Sequence, residues 1–173
     1  MYVTSQIIAA VSTLILITYS VMKVNRNVIL ICNIAINVLL GVHYLLLESY
    51  SGAICSGITA IMVWVFCYKD KCEIMRIRIF GVPVIPIFFT VLFIVSGYLS
   101  WQDVWSVIPV TGNILLVIAL WNDNENIIKG IFIIVGLMWI ILNLHLRSVA
   151  NIVGQCLSVT SNIIYFVRIK KQI

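Results

Sequence analysis

Charged residues are scarce in this sequence. Only 10% of its 173 residues are Asp, Glu, Lys or Arg, whereas 62% are hydrophobic and the mean hydropathy is +1.14. These values lie far outside the range of soluble domains. A bilayer core of about 30 Å is crossed by roughly 20 helical residues, and seven apolar stretches of about this length take up nearly the whole chain. The sequence therefore predicts a membrane protein with several spans and leaves no length for a soluble catalytic domain.

Acidic residues are missing from the apolar stretches, since all six lie in connections or at helix ends. A proton- or sodium-coupled pump is therefore disfavoured, because intramembrane carboxylates commonly carry such ions. The sequence also lacks an HExxH motif, a nucleophile elbow and an intramembrane Asp pair. We expect no enzymatic activity.

Metal and disulfide signals are weak. The five cysteines lie within predicted spans or in one predicted cytosolic loop, so structural disulfides are not expected. Cys67 and Cys72 lack the second pair, or the histidines, of a tetrahedral zinc site. We expect neither a metal nor a cofactor.

Short polar turns divide the chain into seven predicted transmembrane helices. The first lacks the basic leader and the cleavage site of a signal peptide, so we interpret it as a retained helix. The seven segments are Thr4–Met22, Val28–Leu47, Gly52–Tyr68, Ile79–Tyr98, Val104–Trp121, Ile127–Leu146 and Val149–Arg168.

Basic residues predict the orientation. Ten of the eleven Lys and Arg residues fall on the side of the carboxyl terminus, and Arg147 is the exception. By the positive-inside rule, the amino terminus is outside and the carboxyl terminus is cytoplasmic. The net charge of +5 follows from this asymmetry. We therefore expect the lipid bilayer, and no nucleic acid, as a partner.

An internal repeat is indicated by matches between positions 97 residues apart. Asn27, Ser51 and Tyr68 match Asn124, Ser148 and Tyr165 at similar depths. The sequence thus predicts a three-helix unit in residues 1–71, a linker helix in 72–103 and a second unit in 104–173. A single linker helix makes the two units parallel.

Small residues four positions apart occur at matching places in the two units. Such pairs let membrane helices approach closely. We expect each pair to lie at a close contact within its own unit: Ala53 with Gly57, and Ala150 with Gly154.

Polar side chains cluster on one face of the last predicted helix and recur in the other half. Their spacing from Asn151 onward places them on one side of an α-helix. In the first half, Asn33 and Asn37 lie one turn apart with Tyr44 near the same face, and Asn113 follows Pro109 in the fifth helix. We predict a central cavity lined by Asn33, Asn37, Asn113, Gln155, Ser158 and Asn162.

Two functions fit these polar residues. They line a path for a small neutral or polar solute, which would make the protein a transporter or facilitator. Alternatively they join helices through hydrogen bonds worth roughly 0.6 kcal/mol each, as in a non-transporting scaffold or accessory subunit, and either form could be a homo-oligomer. His43 and His145 are expected at the outer interface, exposed to water, without a proton-relay role.

Three stretches resemble the YgjV family of bacterial inner membrane proteins. They are GVHYLLLESYSGA at residues 41–53, VIPVTGNILLVIALW at 107–121 and SNIIYFVRIKK at 161–171. The resemblance implies a small inner-membrane protein of about seven spans, without an agreed biochemical activity. The overall plan is also similar to that of the SWEET sugar carriers, which are built from parallel repeats.

Overall fold

A computed structural model describes residues 2–21, 26–69, 77–79, 82–122 and 124–170. Some residues used above lie outside these ranges, among them Cys72 of the weak zinc signal and the basic residues Lys23, Lys71, Arg76 and Lys171.

Seven α-helices form within the described residues, which confirms the predicted all-α membrane fold. Three helical segments are long and apolar enough to cross a membrane: Val104–Trp121, which includes the short turn before the fifth helix, Asn126–His145 and Val149–Val167. The apolar parts of the other four helices are shorter. The helices are α1 (Tyr2–Val21), α2 (Arg26–Leu46), α3 (Tyr50–Phe66), α4 (Val84–Leu99), α5 (Val107–Trp121), α6 (Glu125–His145) and α7 (Val149–Lys170).

The fourth helix begins later than predicted, at Val84 and not at Ile79. The two short strands Arg78–Ile79 (β1) and Val82–Pro83 (β2) pair antiparallel before it. Pro83 has an extended backbone (φ −67°, ψ 134°) and directly precedes the helix. This proline ends the strand without costing a helical hydrogen bond, since residues before the first turn need no helical N–H donor.

The fifth helix also begins later than predicted. Residues Val104–Ser106 form a 3₁₀ turn, and α5 follows from Val107. The Asp103 carboxylate accepts a hydrogen bond of 3.2 Å from the Ser106 backbone N–H, which caps this turn. The loop between α4 and α5 is thereby fixed by its own side chains.

Six helices form a closed series of neighbours. Each of α1, α2, α3, α5, α6 and α7 packs against the next, and α7 packs against α1. α4 lies outside this series, against α3 and α5. One apolar cluster joins α3, α4 and α5 around Phe66, Phe89 and Phe93, and another joins α2 and α6 around Tyr44 and Trp139.

The turns between α2 and α3 and between α6 and α7 have the same geometry. The Ser49 N–H donates to the Tyr44 carbonyl, and the Ser148 N–H donates to the Asn143 carbonyl, both at 2.9 Å. Glu48 and Arg147 take positive φ angles of 59° and 54°, as in the left-handed residue that ends many helices. We call the end of the bundle that carries these two turns the hairpin end.

The two small-residue pairs differ in the helices that they contact. A Cβ atom on Gly154 would lie 2.6 Å from Thr13 Oγ1, and Thr13 donates a hydrogen bond to the Ala150 carbonyl. This pair therefore contacts α1, outside its own predicted unit. In the first half, Ala53 is buried and its carbonyl lies 3.7 Å from the Cβ position of Gly41.

Gly57 differs from the expectation, because a Cβ atom there would meet nothing within 4 Å. The residue is exposed on the surface of α3. The pattern of small residues shows that close approach is possible, but it does not show which side of the helix faces a neighbour.

Candidate functional site

A buried polar cluster lies at the hairpin end and was not expected from the sequence. His43 is fully buried, with Nδ1 2.8 Å from the Ser5 carbonyl and Nε2 3.0 Å from Ser148 Oγ. A carbonyl can only accept, so Nδ1 carries the proton and, in the neutral ring, Nε2 accepts from the Ser148 hydroxyl. His43, on α2, thus links α1 to the α6–α7 turn.

The expectation of two water-exposed histidines is therefore wrong for His43. The side chain of His145 is 41% exposed and its ring stacks on Trp105, with 4.5 Å between the ring centroids. The two residues lie near the same end of the bundle, but on α2 the histidine side of the helix faces α1 and α7. Depth alone could not distinguish them.

Tyr44 and Asn143 meet across the bundle beside His43. The Tyr44 hydroxyl donates to Asn143 Oδ1 at 3.4 Å, and Asn151 Nδ2 donates to the same oxygen at 3.3 Å. Asn143 Nδ2 donates to the Trp139 carbonyl at 2.7 Å, and the Trp139 ring stacks on Tyr44. All of these polar groups are buried with partners, as a low-dielectric interior requires.

Among the predicted polar residues of α7, Gln155 has an accessible side-chain amide without a hydrogen-bond partner in the described residues. It is half-buried, and no hydrogen bond reaches its side chain from the described residues. Its Oε1 lies 3.7 Å from the Cβ position of Gly136, a buried residue of α6. The amide therefore lies at the α6–α7 interface, away from the lipid-facing side of α7.

Four other predicted residues are also half-buried: Asn33, Asn37, Ser158 and Asn162. Two of them donate locally, Asn37 to the Asn33 carbonyl at 2.8 Å and Asn162 to the Ser158 carbonyl at 3.0 Å. The two groups belong to α2 and α7, which both pack against α1. Among the described residues, no hydrogen bond joins Asn37 to the α7 residues, and the predicted cavity stays a prediction.

Asn113 does not line a cavity. It is 1% exposed, and it is held between the Thr59 hydroxyl of α3 and the Pro109 carbonyl of its own helix. Its amide is thus fully used in packing α3 against α5. A second buried amide, on Gln6 of α1, has neither its nitrogen nor its oxygen paired with a described residue.

A pocket of about 130 Å³ opens at the hairpin end. Its walls include Glu48, Gln102, Asp103, Trp105 and His145. Gln102 accepts from the Tyr50 N–H and donates to the Glu48 carbonyl, so the α4–α5 loop is tied to the α2–α3 turn. Within the described parts of the chain, no three His, Cys, Asp or Glu side chains are placed to hold a metal ion.

These features define a class: an all-α integral membrane protein of several apolar helices, with a sealed polar layer at one end and partly accessible amides below it. The Imp-YgjV family model, described as bacterial inner membrane protein, matches residues 3–173. The chain therefore belongs to this family and is a bacterial inner membrane protein. Neither a curated protein nor a solved structure matches it.

Proposed function

We propose that the protein moves a small, neutral, polar solute across the inner membrane without ion coupling. The solute path runs inside the six-helix series, and the predicted charge asymmetry makes the hairpin end the external one. Under this proposal Asn33, Asn37, Gln155, Ser158 and Asn162 line the path, whereas Asn113 does not.

The Gln155 amide carries this proposal. A polar group in a membrane interior is costly unless it has a partner, and polar groups that persist there commonly mark solute or ion pathways. Gln155 lies on the α6 side of α7 and lacks a partner among the described residues. Water or a solute supplies the missing hydrogen bonds most simply.

The chemical class of the solute follows from the lining. The proposed path offers amide and hydroxyl groups, which donate and accept hydrogen bonds, and none of its five proposed lining residues is ionisable. Such groups fit hydroxyl- or amide-bearing neutral molecules better than ions.

A scaffold or accessory subunit is the second candidate. It is favoured by Asn113, whose amide only joins α3 to α5, and by Asn37 and Asn162, which donate to carbonyls of their own helices. In that case Gln155 would be covered by a second protein or by another copy of the chain.

We also propose that the chain is not an enzyme. The Ser148 hydroxyl and His43 Nε2 are separated by 3.0 Å, a spacing that a nucleophile and its base require. Both residues are 0% exposed, so a substrate carbonyl has no access to the hydroxyl. The pair serves packing at the hairpin end.

A thermal-shift screen of the purified protein tests the transport proposal. Sugars, nucleosides, vitamins and amino acids are added separately, because a ligand at a hundred times its Kd stabilises by about 2.7 kcal/mol. We expect one neutral class to raise the melting temperature of the parent and Gln155→Leu to fold but lose this response.

Thr160→Val is the matched control on the same helix. Thr160 is exposed on α7, and its hydroxyl donates to the Cys156 carbonyl. This variant should keep the full response. A response that survives Gln155→Leu, or the absence of a response to every class, would favour the scaffold.

A further inference from the structure

We infer that Tyr44 and Asn143 are equivalent positions of two three-helix repeats, and that they meet on the axis relating the repeats, where they close the path at the hairpin end. The closure rests on the transport function proposed above, whereas the repeat relation does not. The two residues were not among the predicted path residues, and their separation of 99 differs from the 97 suggested by the sequence.

The α2–α3 and α6–α7 turns show the repeat separation of 99 residues. The hydrogen bond from Ser49 to the Tyr44 carbonyl reappears from Ser148 to the Asn143 carbonyl at the same length. The positive φ angle at Glu48 reappears at Arg147. Each of these pairs is 99 residues apart, so the backbone itself repeats at this separation.

Burial along α3 and α7 follows the same register. Ile54 and its partner at 99, Val153, are both exposed, and Cys55 and Gly154 are both buried. At a separation of 97, exposed Gly57 would instead match buried Gly154. The pattern of burial therefore supports a repeat separation of 99 residues and not 97.

Helix contacts are preserved when the two units are exchanged. α1 and α2 pack as α5 and α6 do, α2 and α3 pack as α6 and α7 do, and the contact of α3 with α5 corresponds to that of α7 with α1. This is the pattern of two parallel units around a two-fold axis. Of the seven helices in the described residues, α4 is the one without a counterpart.

Residues on a two-fold axis touch their own equivalents, as in any isologous contact. Tyr44 and Asn143 fulfil this condition, with 3.4 Å between the phenol oxygen and Asn143 Oδ1. The axis consequently passes between α2 and α6 at the hairpin end, where a solute path along it would leave the bundle.

The same place is closed in this structure. Tyr44 and Asn143 are 1% and 0% exposed, and the Trp139 ring covers the phenol face. Further toward the opposite end, Gln155 has an accessible amide. Among the described residues, three hydrogen bonds join the units at this end: Tyr2 to the Arg147 carbonyl, Tyr44 to Asn143, and Ser148 to His43. None of these three contacts is an ion pair.

Cysteine cross-linking tests the axis. In a chain whose five native cysteines are replaced, Tyr44→Cys with Asn143→Cys should lose its free thiols to a short bifunctional thiol reagent, within one chain. The reagent replaces direct oxidation because a disulfide needs Cα atoms closer than about 7 Å, whereas the Tyr44–Asn143 contact joins side-chain tips. Tyr44→Cys with Ile141→Cys is the control for the register of 97, and Ile141 is exposed on α6. If the control pair reacts with this reagent as fast as the Asn143 pair, the axis is misplaced.

Thiol labelling tests the closure. Asn143→Cys alone should react slowly with a membrane-impermeant maleimide, and adding Tyr44→Ala should raise the rate roughly tenfold, equivalent to about 1.4 kcal/mol in the opening equilibrium. Tyr44→Phe keeps the ring and should leave the rate low. Equal rates in the alanine and phenylalanine backgrounds would refute closure by Tyr44.

Neither measurement uses a solute, so the two proposals fail separately. If cross-linking and labelling give the expected results but no solute stabilises the protein, the axis and the closure by Tyr44 are supported and the transport proposal is refuted. If a solute stabilises the protein but Asn143→Cys is labelled fast while Tyr44 is intact, transport is supported and closure by Tyr44 is refuted.

Discussion

The Thr59 hydroxyl of α3 lies 2.5 Å from the amide oxygen of Asn113 on α5, and both residues are 1% exposed. The amide nitrogen of Asn113 donates to the Pro109 carbonyl. Pro109 lies in the first turn of α5, so its missing N–H removes no hydrogen bond within this helix. A polar side chain at mid-helix is thus explained by helix contact alone.

Replacing Thr59 with valine should destabilise the protein by about 1–3 kcal/mol, because the shape is nearly kept while a buried acceptor on Asn113 loses its donor. Thr111→Val is the control, since Thr111 is exposed and its hydroxyl only donates to the Val107 carbonyl. Reversible unfolding of both variants in lipid or detergent gives the comparison. The Thr59 hydroxyl also lies 2.7 Å from the Cys55 carbonyl of its own helix. Equal losses would show that the Thr59–Asn113 contact adds nothing beyond this local hydrogen bond.

The two glycines of the small-residue pairs should respond differently to the same change. Gly154→Ala places a Cβ atom 2.6 Å from Thr13 Oγ1, and overpacking of this kind costs about 1–3 kcal/mol. Gly57→Ala meets open space and should be neutral or slightly stabilising. Melting temperatures of the two variants test this, and Thr13→Ala should partly restore Gly154→Ala by removing the clashing hydroxyl and methyl.

Much of the fold could be predicted because apolar length and turn residues are local signals. Helix α7 was predicted to begin at Val149 and does so, and the end of α5 at Trp121 is also correct. The start of α4 was wrong because hydropathy cannot separate an apolar strand pair from the first turn of a helix. Pro83 was the available signal.

The site was harder to predict because helix orientation about its own axis is set by tertiary contacts. Gly57 and Gly154 look alike in sequence, but a two-residue change of register turns a helix by about 200°, which moves Gly57 to the exposed side. The sealed layer of His43, Tyr44, Asn143 and Ser148 was missed for a related reason. Its members come from two helices and the α6–α7 turn, and each looks ordinary alone.

The membrane orientation remains a prediction with a direct test. A reporter active only in the cytoplasm, joined after Ile173, should be active, and one joined within the α6–α7 turn should be silent. The reason is that ten of eleven basic residues lie on the carboxyl-terminal side. The opposite result for both fusions would invert the topology and make the hairpin end cytoplasmic.

Removing the hydroxyl of Ser148 should weaken the sealed layer. Ser148→Ala leaves His43 Nε2 buried without its donor, while Nδ1 still donates to the Ser5 carbonyl. An unpaired buried acceptor costs about 1–3 kcal/mol, so this variant should melt clearly below the parent.

Ser161→Ala is the matched control, because Ser161 lies on α7, the helix that Ser148 directly precedes, but is exposed, and it should melt like the parent. A second readout separates the seal from general stability. If His43 and Ser148 hold the units together, Ser148→Ala should also speed the labelling of a cysteine at position 143. In that background the Tyr44–Asn143 bond is already absent, and the hydrogen bond of 2.8 Å from the Tyr2 hydroxyl to the Arg147 carbonyl still joins the units at this end. Unchanged labelling beside a lower melting temperature would mean that the pair stabilises α1 against α2 and α7 without holding the hairpin end shut.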